Sequence, residues 1–347
     1  MLPPELVQTI VAEVDDIPSL KACALAASMF CNASQRILFR SFTLEPILVP
    51  ASSTILEESP HIASYITRLS IQLGTYIDDA SNERLSQNLQ KNFANLKLAN
   101  VRQCIMNGSF HCPKQTPTFV PALLDFLLRQ PLCELHVSSA VQVAPATILR
   151  LLTAAPVISF SEVYIEKHSK ALLDRAQYTP IVEDLFVDSD AREVYEIVVQ
   201  SESLANTLRR LSIEYLDPRR PGMTIPPLPL LHSFQFSLLF LNNGKRWLSD
   251  LILSVMSTSP LLADIVISFL VNKRVGVRPS GALETLDAAL AVHPMRPTIL
   301  WRLHFTSNVD ENVRTEIFDK FTVGVQIGMP RSRGEKRLVL ESLDSIW

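Results

Sequence analysis

The residues able to do chemistry are few and poorly spaced for it. Cys104, His111, Cys112 and Cys133 are the nearest approach to a metal set, yet no Cys-x-x-Cys knuckle joins any of them. Structural zinc sites are built on such close pairs, so buried thiols and no bound metal are expected. His136 and His304 fall at equivalent places in two strand-like segments separated by many others, which predicts exposed strand histidines and no shared catalytic centre. The carboxylate pairs Asp78-Asp79, Asp188/Asp190 and Asp310-Glu311 lie at turns and helix starts, where capping and the helix dipole account for them. A glycosidase-type pair would need positions that converge in space. Phosphate loop, Gly-x-Gly, Gly-x-Ser-x-Gly and His-Glu-x-x-His are all absent. The chain is expected to have no catalytic residues and no cofactor.

What must position any functional surface is a chain of 347 residues, enough for two ordinary domains or one long array. Apolar residues make up 47% and charged residues 19%, the balance of a folded protein. A net charge of −3 gives no global pull toward nucleic acid or membrane, so neither is expected as a partner. Only 9 glycines stand against 23 prolines, which disfavours glycine-dependent hairpins and points to many helix ends and stiff connections. The opening Met1-Leu2-Pro3-Pro4-Glu5 lacks the basic start and apolar core of a signal peptide. The longest apolar stretch, Leu228 to Leu241, is too short and polar to span a bilayer. A soluble protein of the cytoplasm or nucleus, with free thiols, is the expectation.

In residues 1–44, Leu6, Val7, Ile10, Val11 and Val14 make an apolar helical stripe after Pro3 and Pro4. Asp15-Asp16-Ile17-Pro18 breaks it. Ser19 reads as the N-cap of a second helix carrying Leu20, Cys23, Ala24 and Ala27. Phe30, Ala33, Ile37 and Leu38 form a third set before the chain turns extended at residues 39–44. Three short helices bury too little to stand alone, so they must pack on a neighbour, a partner, or both.

This stretch resembles an F-box, particularly those of the large F-box-like families of mushroom-forming fungi. The likeness is carried by the opening Leu-Pro-x-Glu-Leu, by Ile10, by Leu20-Lys21-Ala22-Cys23-Ala24-Leu25 and by Ile37-Leu38-Phe39-Arg40. The resemblance implies docking on a Skp-type adaptor protein and, through it, a link to a cullin. Leu2, Pro3, Pro4, Leu6, Ile10, Leu20, Cys23, Leu25, Leu38 and Phe39 are then the docking or supporting positions. The other reading is a plain N-terminal cap on the downstream domain.

Residues 45–347 are repetitive. Apolar-x-apolar strand cores recur at Leu69/Ile71, Leu135/Val137, Val163/Ile165, Leu185/Val187, Leu211/Ile213, Phe234/Phe236, Ile265/Ile267 and Leu303/Phe305, with a fainter one at Cys104/Met106. Helical segments lie between most of them, at 83–96, 118–129, 146–154, 192–204, 245–256, 283–291 and 311–321. Prolines such as Pro131, Pro180, Pro229 and Pro260 stand a few residues ahead of the cores, where they end a helix and return the chain to extended geometry. The expected fold class is α/β: a three-helix F-box, then a right-handed strand–helix solenoid, leucine-rich-repeat-like, with a parallel sheet on its concave face. Irregular repeats of this kind are common behind F-boxes. A compact α/β domain with a parallel sheet is the alternative.

On that concave face Ser70, His136, Tyr164, Phe186, Ser212, Gln235, Val266 and His304 should form one column. Arg68, Glu134, Glu162, Asp184, Arg210, Ser233, Asp264 and Arg302 form its neighbour. Tyr164 and Phe186 within the acidic Glu134, Glu162 and Asp184 would suit a basic protein patch; the other reading is a charged face kept soluble. The basic cluster Arg331 to Arg337 reads as a solvated loop, with nuclear import or an anionic contact as the alternative. Leu338-Val339-Leu340-Glu341 reads as a final edge strand or cap.

The expected function is substrate-recognition adaptor of a Skp–cullin–F-box ubiquitin ligase, holding a protein target of unknown identity on the solenoid. A structural or regulatory repeat protein without the ligase link, and an unrecognised α/β hydrolase, are the alternatives.

Overall fold

Proline and one aspartate set the N-terminal helices. The computed structural model describes residues 2–45, 56, 58–73, 87, 90–91, 93, 96–108, 119–141, 143–165, 178–188, 192–199, 202–216, 225–238, 245–271, 282–307 and 309–344. Pro4 opens α1 (Pro4–Ala12), and Val7 and Val11 are its buried stripe. Asp16 caps α2 (Ile17–Ala26), where Ser19 was expected to do so. Its carboxylate accepts from the Ser19 N–H at 2.8 Å, and bonding to Ser19 holds the Asp16 carboxyl below its usual range. Pro18 sits in the first turn of α2, where proline is tolerated, and does not interrupt it. α3 (Ser28–Leu38) receives both earlier helices. Val7, Val11, Leu20 and Ala33 form their shared core, with Val14, Phe30 and Leu38 packed against it.

The chain divides into two compact units, Met1–Leu173 and Asp174–Trp347. The first contains the three helices and continues with β1 (Ser41–Leu44), α4 (Pro60–Ala63), β2 (Arg68–Gln72), β3 (Gln103–Asn107), α5 (Phe119–Leu128), β4 (Glu134–Ser138), α6 (Pro145–Leu151) and β5 (Val157–Ser161). Each strand pairs in parallel with the next in sequence, placing Leu69, Cys104, Leu135 and Ile158 in one buried row and Ile71, Met106, Val137 and Phe160 in another. The alternating residues of every strand lie on the half-exposed face.

Val163 and Ile165 do not form the fifth strand's core, as their pattern suggested. Ile158 and Phe160 do, directly after Pro156. The apolar-x-apolar pattern occurs twice in succession here, because the chain turns after Ser161, buries Val163 again and brings Ile165 into a parallel bridge with Val143. That turn recurs. Gly108, Ser139 and Glu162 are each the first residue beyond a strand, and each has positive φ, at 112°, 52° and 53°.

A second device recurs at strand starts. The Arg40 carbonyl, just before β1, accepts from both the Thr67 and Arg68 N–H groups at 3.0 Å. Thr67 O accepts in the same way from Arg102 and Gln103, and Arg102 O from Cys133 and Glu134. One carbonyl thus anchors two N–H groups of the following strand, and register is set before the ladder begins.

The second unit contains β6 (Asp184–Val187), α7 (Arg192–Val199), α8 (Glu202–Ala205), β7 (Arg210–Leu216), β8 (Ser233–Leu238), α9 (Lys245–Thr258), β9 (Asp264–Val271), α10 (Leu283–Val292), β10 (Thr298–Phe305), α11 (Glu311–Gly328), α12 (Pro330–Gly334) and β11 (Leu338–Asp344). Its strands are again parallel and in sequence order. The paired-donor device returns with Glu183 O, Arg209 O and His232 O as acceptors. Phe269 stacks on Trp301 at 5.8 Å, and Phe321 of α11 meets both edge-on.

Two expectations change here. β10 begins at Thr298, so Ile299 and Trp301 pair with Ile265 and Ile267, and Leu303/Phe305 lies two steps further along. The 331–337 cluster is structured and not a solvated loop. It holds α12, whose start is gripped by buried Asp287, and Arg337 donates to the carbonyls of Leu290 and Pro297. Among the described residues no helix is long and apolar enough to cross a membrane. The expected helix at 83–96 falls largely outside the described residues.

Candidate functional site

Two surfaces stand out, one on the helices and one on the open sheet faces. On α1 the inward stripe is Val7 and Val11, so Leu6 and Ile10, one position earlier and about 100° around the helix, point outward. They are 50% and 49% exposed, and Leu2 continues the stripe at 43%. Leu25 at the end of α2 is 88% exposed. Burying such a side chain is worth roughly 1.5–3 kcal/mol, so this is unpartnered apolar surface. Pro3 and Pro4 are exposed beside it.

The structure sorts the other sequence-predicted positions inward. Leu20 is 4% exposed and belongs to the helical core, with Leu38 against it. Cys23 and Phe39 are half-buried. Ile17, Met29 and Ile37 are exposed large apolar residues that the docking set did not include. Toward β2, Asn32 of α3 accepts from the Tyr65 hydroxyl at 3.2 Å, and the Arg36 guanidinium lies 5.8 Å from the centre of the Tyr65 ring. These contacts fasten the helices to the segment leading into β2.

On the first unit's sheet the open-face row reads Ser70, Ile105, His136 and Ser159. Tyr164 was expected in that row, and Glu162 in its neighbour. Both lie beyond the end of β5, and Ser159 and Val157 take the strand positions. Polar groups on this face are linked across strands. Gln103 donates to Glu134 at 2.6 Å, the other Glu134 oxygen lies 2.8 Å from His136 Nε2, and His136 Nδ1 pairs with the Ser159 hydroxyl. The order carboxylate, imidazole, hydroxyl is that of a nucleophilic relay. Acyl transfer also needs two N–H groups aimed at a developing oxyanion, and β4 and β5 spend theirs in the ladder around these residues. The result is a line of hydrogen-bonded polar groups across β3, β4 and β5.

In the second unit, Phe186, Ser212 and Gln235 share a row as expected, and the row continues through Val266 to Leu300. His304 was expected at that last place; it stands opposite Leu270 instead, four residues further along β10. Burial, and then neighbouring Arg302, holds the His304 imidazole below its usual pKa. Arg302, expected in the flanking column, is replaced there by Thr298, and bonds to Glu341 at 2.8 Å. Arg210 donates to Asp184 at 3.0 Å, so these two predicted contacts neutralise one another. Phe186 is half-buried two residues along β6, in register with Ser212.

The predicted metal-type residues are not brought together. Cys104 is buried in β3, where desolvation pushes its thiol far up, Cys133 is exposed before β4, and His111 and Cys112 lie outside the described residues. Among the described residues no group of three His, Cys, Asp or Glu side chains could hold a metal ion. Asp310 caps α11 by accepting from the Asn312 N–H, while Asp78, Asp79 and Asp190 lie outside the described residues. No family model matches the chain, and no curated protein matches it.

Proposed function

We propose that the chain is a substrate-recognition adaptor of a Skp–cullin–F-box ubiquitin ligase, with the three helices as docking module and the strand–helix repeats as a leucine-rich-repeat-like, right-handed solenoid holding a protein target. The observation that carries this reading is the outward stripe of Leu2, Leu6 and Ile10 on α1, with Leu25 of α2 also exposed, on a helical module whose own core is only a handful of side chains. Apolar helix faces of this kind bury well against a partner, and a standard interface of about 1,600 Å² is enough for a stable complex. Candidate target contacts are Glu134 and His136 on the first unit's open sheet face and, on the second unit taken by itself, Asp184, Phe186 and Arg210.

The test is co-purification of the intact chain with a Skp-type adaptor, in parallel with a Leu6→Glu/Ile10→Glu double variant. Both residues are exposed, so the fold should survive the change. A stoichiometric complex with the intact chain that the double variant loses supports the reading; no complex with the intact chain ends it. The Asn32–Tyr65 and Arg36–Tyr65 contacts favour a second reading, in which the helices only cap the repeats, and that negative result would leave it standing.

A further inference from the structure

Several arginines of this protein have a carboxylate. Arg150 pairs with Asp125, Arg209 with Glu183, Arg210 with Asp184, Arg302 with Glu341 and Arg337 with Glu335. Four others do not. Arg36, Arg40, Arg68 and Arg102 line one cleft of about 740 Å³ in the first unit, and no carboxylate or lysine lines it with them. Among the described residues none of the four is ion-paired.

The backbone holds these side chains at one end of the sheet. Arg40 and Arg102 are the residues just before β1 and β3, and Arg68 is the first of β2. Arg40 O takes the Thr67 and Arg68 N–H groups, and Arg102 N donates to Thr67 O at 2.8 Å. Three arginines thus come from three adjacent strand starts: Arg40 and Arg102 lie level with Thr67 on either side of β2, and Arg68 is one residue further along it. Arg36 comes in from the last turn of α3, its guanidinium placed over Tyr65. Glu134, the first residue of β4, is already engaged by Gln103 and His136. Four like charges gathered on a fixed backbone repel one another until an anion enters. Guanidinium forks match the oxygens of a phosphoryl group, two donors at a time, and the chain uses arginine alone here.

We propose that this cleft is a phosphoryl-binding site, taking a small polyphosphate or a phosphorylated side chain. Binding is carried by Arg40, Arg68 and Arg102 from the strand starts, with Arg36 closing the cleft from α3. The site is independent of whether the helices dock on an adaptor, since all four arginines belong to this chain and none is in the outward apolar stripe.

Calorimetric titration of the intact chain with inorganic pyrophosphate, and separately with N-acetyl-phosphoserine amide, at about 0.15 M salt where surface fields are screened, tests the proposal. Single-site binding of at least one probe is expected, weakened about tenfold for each arginine removed, so about a hundredfold in Arg40→Gln/Arg68→Gln. Arg209→Gln, in the other unit, should leave binding unchanged. Pyrophosphate alone binding assigns a free polyphosphate; phosphoserine amide binding as tightly assigns a modified side chain. Should Arg40→Gln/Arg68→Gln lose its native circular dichroism, Arg36→Gln/Arg102→Gln replaces it. No saturable binding of either probe, or binding that the arginine pairs leave intact, overturns the site.

Discussion

Ser139 and Glu162 occupy the same place in successive repeats, each the first residue past its strand with φ just above +50°, and the Ser139 hydroxyl donates to a Glu162 carboxylate oxygen at 2.7 Å. Gly108 holds the equivalent place one repeat earlier. A side chain in this left-handed region costs about 1 kcal/mol relative to glycine. Ser139→Gly should therefore be more stable than Ser139→Ala by about 1 kcal/mol, read from urea midpoints at equal slope. Equal midpoints would show that the turn relaxes without strain.

Asp287 is a buried carboxylate with three donors. Arg331 N–H reaches one oxygen at 2.8 Å; Ser332 N–H and Ser332 hydroxyl reach the other at 2.8 and 2.6 Å. Asp287→Ala would strand all three, at about 3 kcal/mol, while Asp287→Asn should lose less because one acceptor survives. A fall in Tm ordered wild type, Asn, Ala is the expected result of thermal unfolding.

Gly328 ends α11 against the first residue of α10. A Cβ there would meet Leu283 Cβ at 2.8 Å and Cδ1 at 2.9 Å. Helix propensity alone favours Gly328→Ala, but overpacking costs about 1–3 kcal/mol, so the variant should unfold at lower denaturant. Pairing it with Leu283→Ala should recover little of that loss, because the Cδ1 contact goes but the Cβ contact at 2.8 Å stays.

Two groups give opposite pH signatures. Glu214 on β7 has its carboxyl raised by burial and then by Asp188, so the folded state resists its ionisation. Its favourable contribution is whole below the ordinary value of 4.5 and is lost as pH rises through the higher folded value. Glu214→Gln should gain stability over wild type on going from pH 4 to 7. His304 is lowered, so its contribution is whole above 6.5 and is lost as acid carries pH down through the folded value. His304→Gln should flatten the stability loss on that acid side. Urea midpoints across this pH range check both.

The strands are legible because half-buried strands write alternation into the sequence, and Leu69/Ile71, Leu135/Val137 and Phe234/Phe236 have no competing pattern nearby. The fifth strand is misplaced by that rule because Ile158-Ser159-Phe160 and Val163-Tyr164-Ile165 carry the same signal five residues apart, and only pairing with Leu135 and Val137 tells ladder from turn. Asp16 and Ser19 are both plausible caps by type. Residue spacing cannot decide which of them lends its side chain. On α1 the apolar stripe is visible, but which half faces inward depends on what α3 presents. The arginine cleft is hidden for a related reason. Arg36, Arg40, Arg68 and Arg102 are scattered in sequence, and only the register of strand starts gathers them. A signal is there: residues just before each strand, read as a column, give Arg40, Thr67, Arg102 and Cys133.

The paired donors at strand starts give each unit a direction. Removing a strand from the downstream edge frees a carbonyl, which water or a spare lone pair accommodates readily. Removing one from the upstream edge frees two N–H groups at once, as Thr67 and Arg68 would be without Arg40, so that edge loses two anchored donors where the other loses one acceptor. Fraying, truncation and duplication are thus unequal at the two ends. Such an array can grow or erode at its trailing side, one repeat at a time, while its leading side has to be kept closed.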